Sequence, residues 1–385
     1  MRVAFYAPLK PVDHLTPSGD RRMARAFRSL LEASGHHVEI ASSLRSLDRD
    51  GDPNRQRAIQ EAARIEALRL ISNWRARIEP TPDIWFTYHS YYKAPDWLGP
   101  AVAAGLGIPY VVAEASMAGK RAGGAWDLGH RATIDGVNTA ARVLAMTGVD
   151  AAGLVEWLRD PRKLILFPPF LAQRMEPPKD PRSVRRDFSD MLALPVEPAW
   201  LVTVAMMRDD IKTQSYRLLA RSLAAMRNGD WRLLVIGDGD NADEVRALLT
   251  SAAGDRARFL GRIESEAVAR VLSVADVFVW PALEEAYGMA ILEALALGLP
   301  VVACDEGGVS DLVVHEVNGL LAKERSAPQL AAFLDRLVGD PELRRHLGAG
   351  ALARFEERHS PDVARARMTT VLAEAISFAQ EPRCV

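Results

Sequence analysis

Residues 277–303 read VFVWPALEEAYGMAILEALALGLPVVA. The run 277–280 is short, apolar and closed by Pro281, the pattern of a buried strand. A loop carrying Glu284 and Glu285 follows, then 290–297 has the composition of a helix, stopped by Gly298 and Pro300. A second strand begins at Val301. Strand, loop, helix and strand in so few residues make a βα unit of a parallel sheet, so the chain is expected to be α/β.

The same stretch carries chemistry. Glu285 lies in the loop entering the helix and Glu293 in the helix's first turns, with seven residues between them. Gly288 lets the backbone pass close to a ligand, and the amides of Met289, Ala290 and Ile291 are the first of the helix, without intrahelical acceptors. Such amides suit a phosphate. Two flanking carboxylates suit neutral hydroxyls, because they accept hydrogen bonds and repel further anions. Phosphate with hydroxyls on both sides describes a nucleotide-sugar. The plainer reading is that Glu284 and Glu285 complement the helix dipole and Glu293 is a solvated surface residue.

The longer string EAYGMAILEALALGLPVVACDEGGVSDLVVHEVNGLLA, residues 285–322, resembles the donor-binding segment of retaining glycosyltransferases of family 4, the group 1 glycosyl transferases. Glu285, Glu293, Gly298, Pro300, Gly307, Gly308, Asn318 and Gly319 carry the match. The resemblance implies a GT-B protein: two Rossmann-like domains facing across a cleft, with the C-terminal helix crossing back to the N-terminal domain. Residues 1–175, with helix 362–385, would bind the acceptor, and 176–361 the nucleotide-sugar donor.

Composition is compatible with this. A chain of 385 residues exceeds what one core usually supports. A hydrophobic fraction of 49% is that of a globular protein, and a formal net charge of −2 supplies no global field for nucleic acid, so none is expected as a partner. The two cysteines, Cys304 and Cys384, are too far apart in sequence for a disulfide framework, which points to a reducing, cytoplasmic setting. The opening MRVAFYAPLK is too short an apolar run for a signal peptide, and no window approaches a membrane span.

Along the chain, 2–8 is expected as the first strand, 20–33 as a helix and 38–41 as a second strand, a Rossmann-like opening without a G-x-G-x-x-G. The resemblance puts the loop at Ser18 and Gly19 opposite the donor diphosphate. Arg21, Arg22, Arg25 and Arg28 on this helix read as a solvated face, with peripheral contact to the inner face of a membrane as the alternative. Strands at 83–88 and 109–113 would end just before His89 and Glu114, which places both where parallel sheets bind ligands. The Gly-rich loop 116–131, with Lys120, Arg121, Trp126 and His130, is a candidate acceptor loop. Prolines at 168–181 mark the connection to the second domain, whose βα alternation runs from Trp200 to Ala322 before the chain turns helical.

In relatives the first donor-domain strand is followed by Gly-Arg and, about five positions on, a lysine; here the string is AMMRDDIK, with Ala205 and Met206 at the Gly-Arg position. Arg208 and Lys212 are assigned the diphosphate role, in a shifted register. By resemblance, Glu285 would hold donor-sugar hydroxyls, Glu293 the ribose hydroxyls, and the backbone of Arg262 and Ile263 the base, with UDP or GDP carrying the sugar and a carbohydrate or lipid-linked compound as acceptor. No cofactor and no metal are expected. Two motifs compete: Asp238-Gly239-Asp240 looks like a metal-binding Asp-x-Asp, and Gly237-x-Gly239-x-x-Ala242 like a dinucleotide fingerprint. Both follow a Rossmann strand where relatives carry a Gly-Asp-Gly turn. The rival readings are a GT-B epimerase or phosphorylase, and a nucleotide-binding protein without transfer activity.

Overall fold

A computed structural model describes residues 1–12 and 19–380. The chain forms two compact units, Met1–Ala172 with Pro361–Val385, and Gln173–Ser360. The first contains β1 (Arg2–Tyr6), β2 (His37–Ile40), β3 (Ile84–Tyr91), β4 (Tyr110–Ser116), β5 (Arg142–Ala145) and β6 (Leu164–Leu166). These form one sheet in the order β2-β1-β3-β4-β5-β6, parallel at every pairing. The second contains β7 (Ala199–Val204), β8 (Trp231–Ile236), β9 (Ala257–Gly261), β10 (Val277–Val279), β11 (Val301–Cys304) and β12 (Gly319–Ala322). Their order is β12-β11-β10-β7-β8-β9, again all parallel. Parallel strands need helical crossovers that cover both faces, so central strands such as β10 and β11 are buried at every residue.

Strand alternation divides the first unit's core. Phe5 and Phe86, paired across β1 and β3, stack at 5.7 Å on one face, and Phe27 of helix Gly19–Ala33 closes over Phe86 and Phe170. Tyr6, Trp85 and Tyr110 fill the other face. There the buried Asp96 carboxylate accepts from the amides of Leu98 and Gly99 at 2.8 Å and from Tyr110 at 3.0 Å, setting the start of helix Gly99–Leu106. Burial pushes this carboxyl above its usual range, against the pull of those donors.

Beyond Ser326 the chain is helical: Ala327–Gly339, Pro341–Arg358 and Pro361–Gln380. The last of these belongs to the first unit, where Met368, Leu372 and Ala375 are buried and Arg142 pairs with Glu374 at 2.9 Å. Among the described residues no helix is long and apolar enough to cross a membrane. On helix Gly19–Ala33, Arg25 donates to the carbonyl of Val12 at 3.1 Å and Arg28 to Glu32 at 2.9 Å.

Two strands run longer than their apolar patterns predict. β3 continues to Tyr91 and β4 to Ser116, so His89 and Glu114 lie inside strands rather than past their ends. Both residues take left-handed backbone, φ 61° and 55°, and the ladder resumes beyond them at Ser90–Ala115. The matched kinks explain the error: pairing survives an interruption that ends the hydrophobic run.

In the second sheet β7 lies between β10 and β8. The connections leaving β7 and β10 therefore part in opposite directions and open a crevice at the carboxyl ends of these strands. The segments 205–210 and 280–288 border it.

Candidate functional site

The segment 205–210 rests on the turn after β8. Met207 donates its amide to Asp238 O, and Asn241 donates to Met207 O, each at 2.9 Å. A Cβ on Gly237 would fall 1.9 Å from Ala205 O, and one on Gly239 2.3 Å from Met207 O. The Gly-x-Gly spacing thus serves close backbone packing, which accounts for the dinucleotide-like match. Asp238 Oδ1 takes the amide of Gly239 at 2.9 Å, and both aspartates of the Asp-x-Asp match are exposed. Arg208 is exposed too, its guanidinium 3.1 Å from Met206 Sδ.

Lys212 lies beyond the loop of Arg208, in the first turn of helix Ile211–Ala225, which Asp210 caps through the Lys212 amide at 2.7 Å. Its ammonium forms an ion pair with Glu285, the two side chains 18% and 21% exposed, and lies 5.8 Å from the Trp280 ring. The predicted diphosphate lysine and the predicted sugar carboxylate thus meet each other directly.

Glu285 is held by a constrained backbone. Ala282 and Glu284 both have left-handed φ, 57° and 50°, a conformation non-glycine residues keep only when their surroundings impose it. Leu283 donates its amide to Ser215 Oγ at 3.2 Å, and Gly308 its amide to Glu285 O at 3.2 Å. Gly307, φ 57°, is obligatory, since a Cβ there would lie 2.1 Å from Glu285 O. Outside this loop, Arg325 binds both oxygens of Glu306 at 2.6 and 2.9 Å and reaches Glu284 at 3.4 Å, while Glu306 also accepts the Glu284 amide at 3.2 Å. Arg325, Glu306 and Ser215 escape sequence reasoning, because contacts this distant in the chain leave no periodic signal.

Gly288, φ 74°, caps helix Met289–Ala296, whose first amides are those of Met289, Ala290 and Ile291. Glu293 is only 6% exposed, between buried Leu292 and Ala294. It is no solvated surface residue; its place in the second turn of a helix buried from Ile291 to Ala296 carries it inward. Arg262 and Ile263 follow β9, exposed and half-buried respectively. Gly261 O accepts the Gly237 amide at 2.9 Å, joining that segment to the turn under 205–210. Cys304 at the end of β11 is buried, and desolvation, reinforced by the nearby Glu306, pushes its thiol up to about 12 and leaves it unreactive.

In the first unit the His89 and Glu114 side chains lie side by side, Nδ1 to Oε1 3.6 Å. His89, Tyr91, Tyr92 and Trp126 form a continuous run of rings, with successive centroids 5.2, 5.4 and 5.8 Å apart. Arg121 stacks on Tyr92 and Trp126. His130 is buried against Trp157 and takes no part. Gly19 opens the first helix, and Ser18 and the Lys120 side chain lie outside the described residues. Tyr91, Tyr92 and Lys93 were missed; an aromatic run just past an apolar strand was the available signal.

Residues 190–354, which contain every element of the second-unit site, match the model of "Glycosyl transferases group 1". Over this segment the chain resembles that family. The group 1 match extends to a D-inositol 3-phosphate glycosyltransferase of Stackebrandtia nassauensis, 34% identical over 56% of this chain and 51% of that protein, so it spans about half of that relative's length. Over the whole fold, a glycosyltransferase from Rickettsia africae covers 97% of this chain and 98% of its own, with a TM-score of 0.75 at 15% identity. The Anabaena protein HepE, in complex with UDP, covers 97% and 100% with a TM-score of 0.72 at 17% identity. The two parallel six-stranded sheets are those of the GT-B fold.

Proposed function

We propose that the protein is a retaining, metal-independent glycosyltransferase that moves a sugar from a nucleoside-diphosphate carrier to a hydroxyl of a carbohydrate or lipid-linked acceptor. The observation that carries this is the convergence of Lys212, Glu285 and the N-terminal amides of helix Met289–Ala296 at the carboxyl ends of adjacent strands β7 and β10. The amides, Lys212 and Arg208 receive the diphosphate. Glu293 accepts the ribose hydroxyls, Glu285 those of the sugar, and the backbone at Arg262 and Ile263 meets the base. UDP, which HepE binds, and GDP are the carriers this site would take.

In the reaction the bond from the sugar's anomeric carbon to the diphosphate oxygen breaks, and its electron pair stays on the diphosphate. Fixed amides and cations stabilise the charge that grows there. The acceptor oxygen bonds to the anomeric carbon on the face the diphosphate leaves, and its proton passes to a phosphate oxygen. Acceptor recognition is assigned to the first unit, at His89, Glu114 and Arg121.

Thermal shift with UDP, GDP and NAD, alongside slow donor hydrolysis with and without EDTA, tests this. UDP or GDP should raise the melting temperature, since a ligand of the native state alone stabilises it, while NAD should not. EDTA should leave hydrolysis unchanged. Stabilisation by NAD alone, or activity restored by Mg²⁺ and lost in Asp238→Ala, overturns the reading.

A further inference from the structure

After β3 the chain turns tightly, with Tyr91 and Ala94 exchanging backbone hydrogen bonds at 3.3 and 2.8 Å, so Tyr92 and Lys93 occupy the tip. Facing it are the 3-10 turn Gly119–Arg121 and Trp126. Lys93 Nζ lies 5.9 Å from the Tyr92 ring and 5.1 Å from Trp126; the Arg121 guanidinium lies 5.1 and 5.0 Å from the same two rings. Two cations therefore share one aromatic pair. Neither forms an ion pair among the described residues, and Arg121 Nε is shielded without a hydrogen-bond partner. The nearby acids are engaged elsewhere: Asp127 with Arg131 at 2.7 Å and Asp48 with Gln56 at 2.9 Å.

The rings are fixed in place. Trp126 Nε1 donates to Asp48 O at 3.2 Å, and Gln56, 4% exposed, donates to Ala125 O at 2.8 Å. A cation over a half-buried ring is held only weakly, and two like charges on one ring pair lose part of that attraction to repulsion. The arrangement is electrostatically incomplete without an anion. From it the run of rings leads straight to His89 and Glu114, a pair suited to hydroxyls.

We infer that Lys93 and Arg121 form a subsite for a phosphate monoester carried by the acceptor, so that the first unit selects a phosphorylated polyhydroxy compound and presents its hydroxyls to His89 and Glu114. This rests on the glycosyltransferase reading above. A phosphate monoester carries a charge near −2 at neutral pH and three acceptor oxygens, enough to serve an ammonium and a guanidinium fork at once.

Calorimetry on the full chain compares glucose 6-phosphate with glucose and glycerol 3-phosphate with glycerol, and flotation compares vesicles of phosphatidylinositol 4-phosphate with plain phosphatidylinositol. UDP and GDP are titrated in parallel. The phosphorylated member of at least one pair should bind tenfold or more tightly, the soluble or the vesicle arm showing which source the site takes. That preference should vanish in Lys93→Gln/Arg121→Gln, weaken in either single variant and survive in part in Arg121→Lys, with nucleotide affinity unchanged throughout. Equal binding of both members in every pair overturns the inference, as does a preference that persists in the double variant. Absence of nucleotide binding would instead sink the transferase reading, which the parallel titration reads separately. Should the double variant not fold, the parent's preference and the single variants still decide.

Discussion

Lys212 and Glu285 neutralise each other in a half-buried pair, so the positive charge left to meet a diphosphate is that of Arg208 and the helix amides. For the donor to bind as proposed, Lys212 turns to the phosphate and releases Glu285 to the sugar. This sharpens the division of labour between the two glutamates. Glu293→Gln removes a charge from a contact that free nucleotide and donor share, and should weaken both by about 1–2 kcal/mol. Glu285→Gln should leave nucleoside diphosphate affinity nearly intact and lower turnover, because its contacts matter where the sugar gains positive charge. Calorimetry beside turnover separates them; equal loss of nucleotide affinity in both refutes the assignment. Arg208→Ala loses a charge-assisted bond of roughly 1.5–3 kcal/mol, so turnover should fall about tenfold to a hundredfold, with Met206→Arg adding little. Parent-like turnover in Arg208→Ala means that the exposed guanidinium, resting on Met206, plays no part.

The loop between β10 and helix Met289–Ala296 shows how one element borrows order from others. Its left-handed residues Ala282 and Glu284 persist because Ser215, Gly308 and the Arg325–Glu306 brace hold the backbone at several points. Arg325 reaches the brace from the surface, 46% exposed, so Arg325→Ala should change melting little, as the loss of a surface pair does. Its effect should appear in geometry instead. Released from the brace, Glu285 samples unproductive positions, and turnover should drop about threefold to tenfold at unchanged nucleotide affinity, as small misplacements of catalytic groups do. Arg325→Lys, which keeps one contact, should recover part of it. A loss of nucleotide affinity, or no loss of turnover, would show that the brace does not position Glu285.

At the scale of the molecule, each unit buries its own core, but the first is completed by the chain's end. Helix Pro361–Gln380 contributes Met368, Val371 and Leu372 to that core and lays Phe378 beneath Arg142 and Lys163 at 5.3 and 5.1 Å. Ending the chain at Ser360 exposes the apolar surface these residues cover, at about 1.5–3 kcal/mol for each large side chain. Hydrogen exchange should then accelerate across helix Gly19–Ala33, which the last helix packs against, while β7 and β8 stay protected. Unchanged protection in Gly19–Ala33 would show that the helix is dispensable.

The α/β class, the succession of strands and helices, the glycines of the turns and the Glu285–Glu293 spacing were determined by the sequence alone, because they follow from local periodicity and from backbone conformations few residues tolerate. So was the resemblance to group 1 glycosyl transferases, through residues that cluster along one stretch of chain. Tertiary structure decided which of these meet. The order in which β7 and β10 pair brings Lys212 onto Glu285 across 73 residues. Matched kinks in two strands set His89 beside Glu114, and a turn and a loop converge to put Lys93 and Arg121 over the same two rings. Each depends on contacts between segments distant in the chain, and strand order, unlike strand propensity, is a property of the packed sheet.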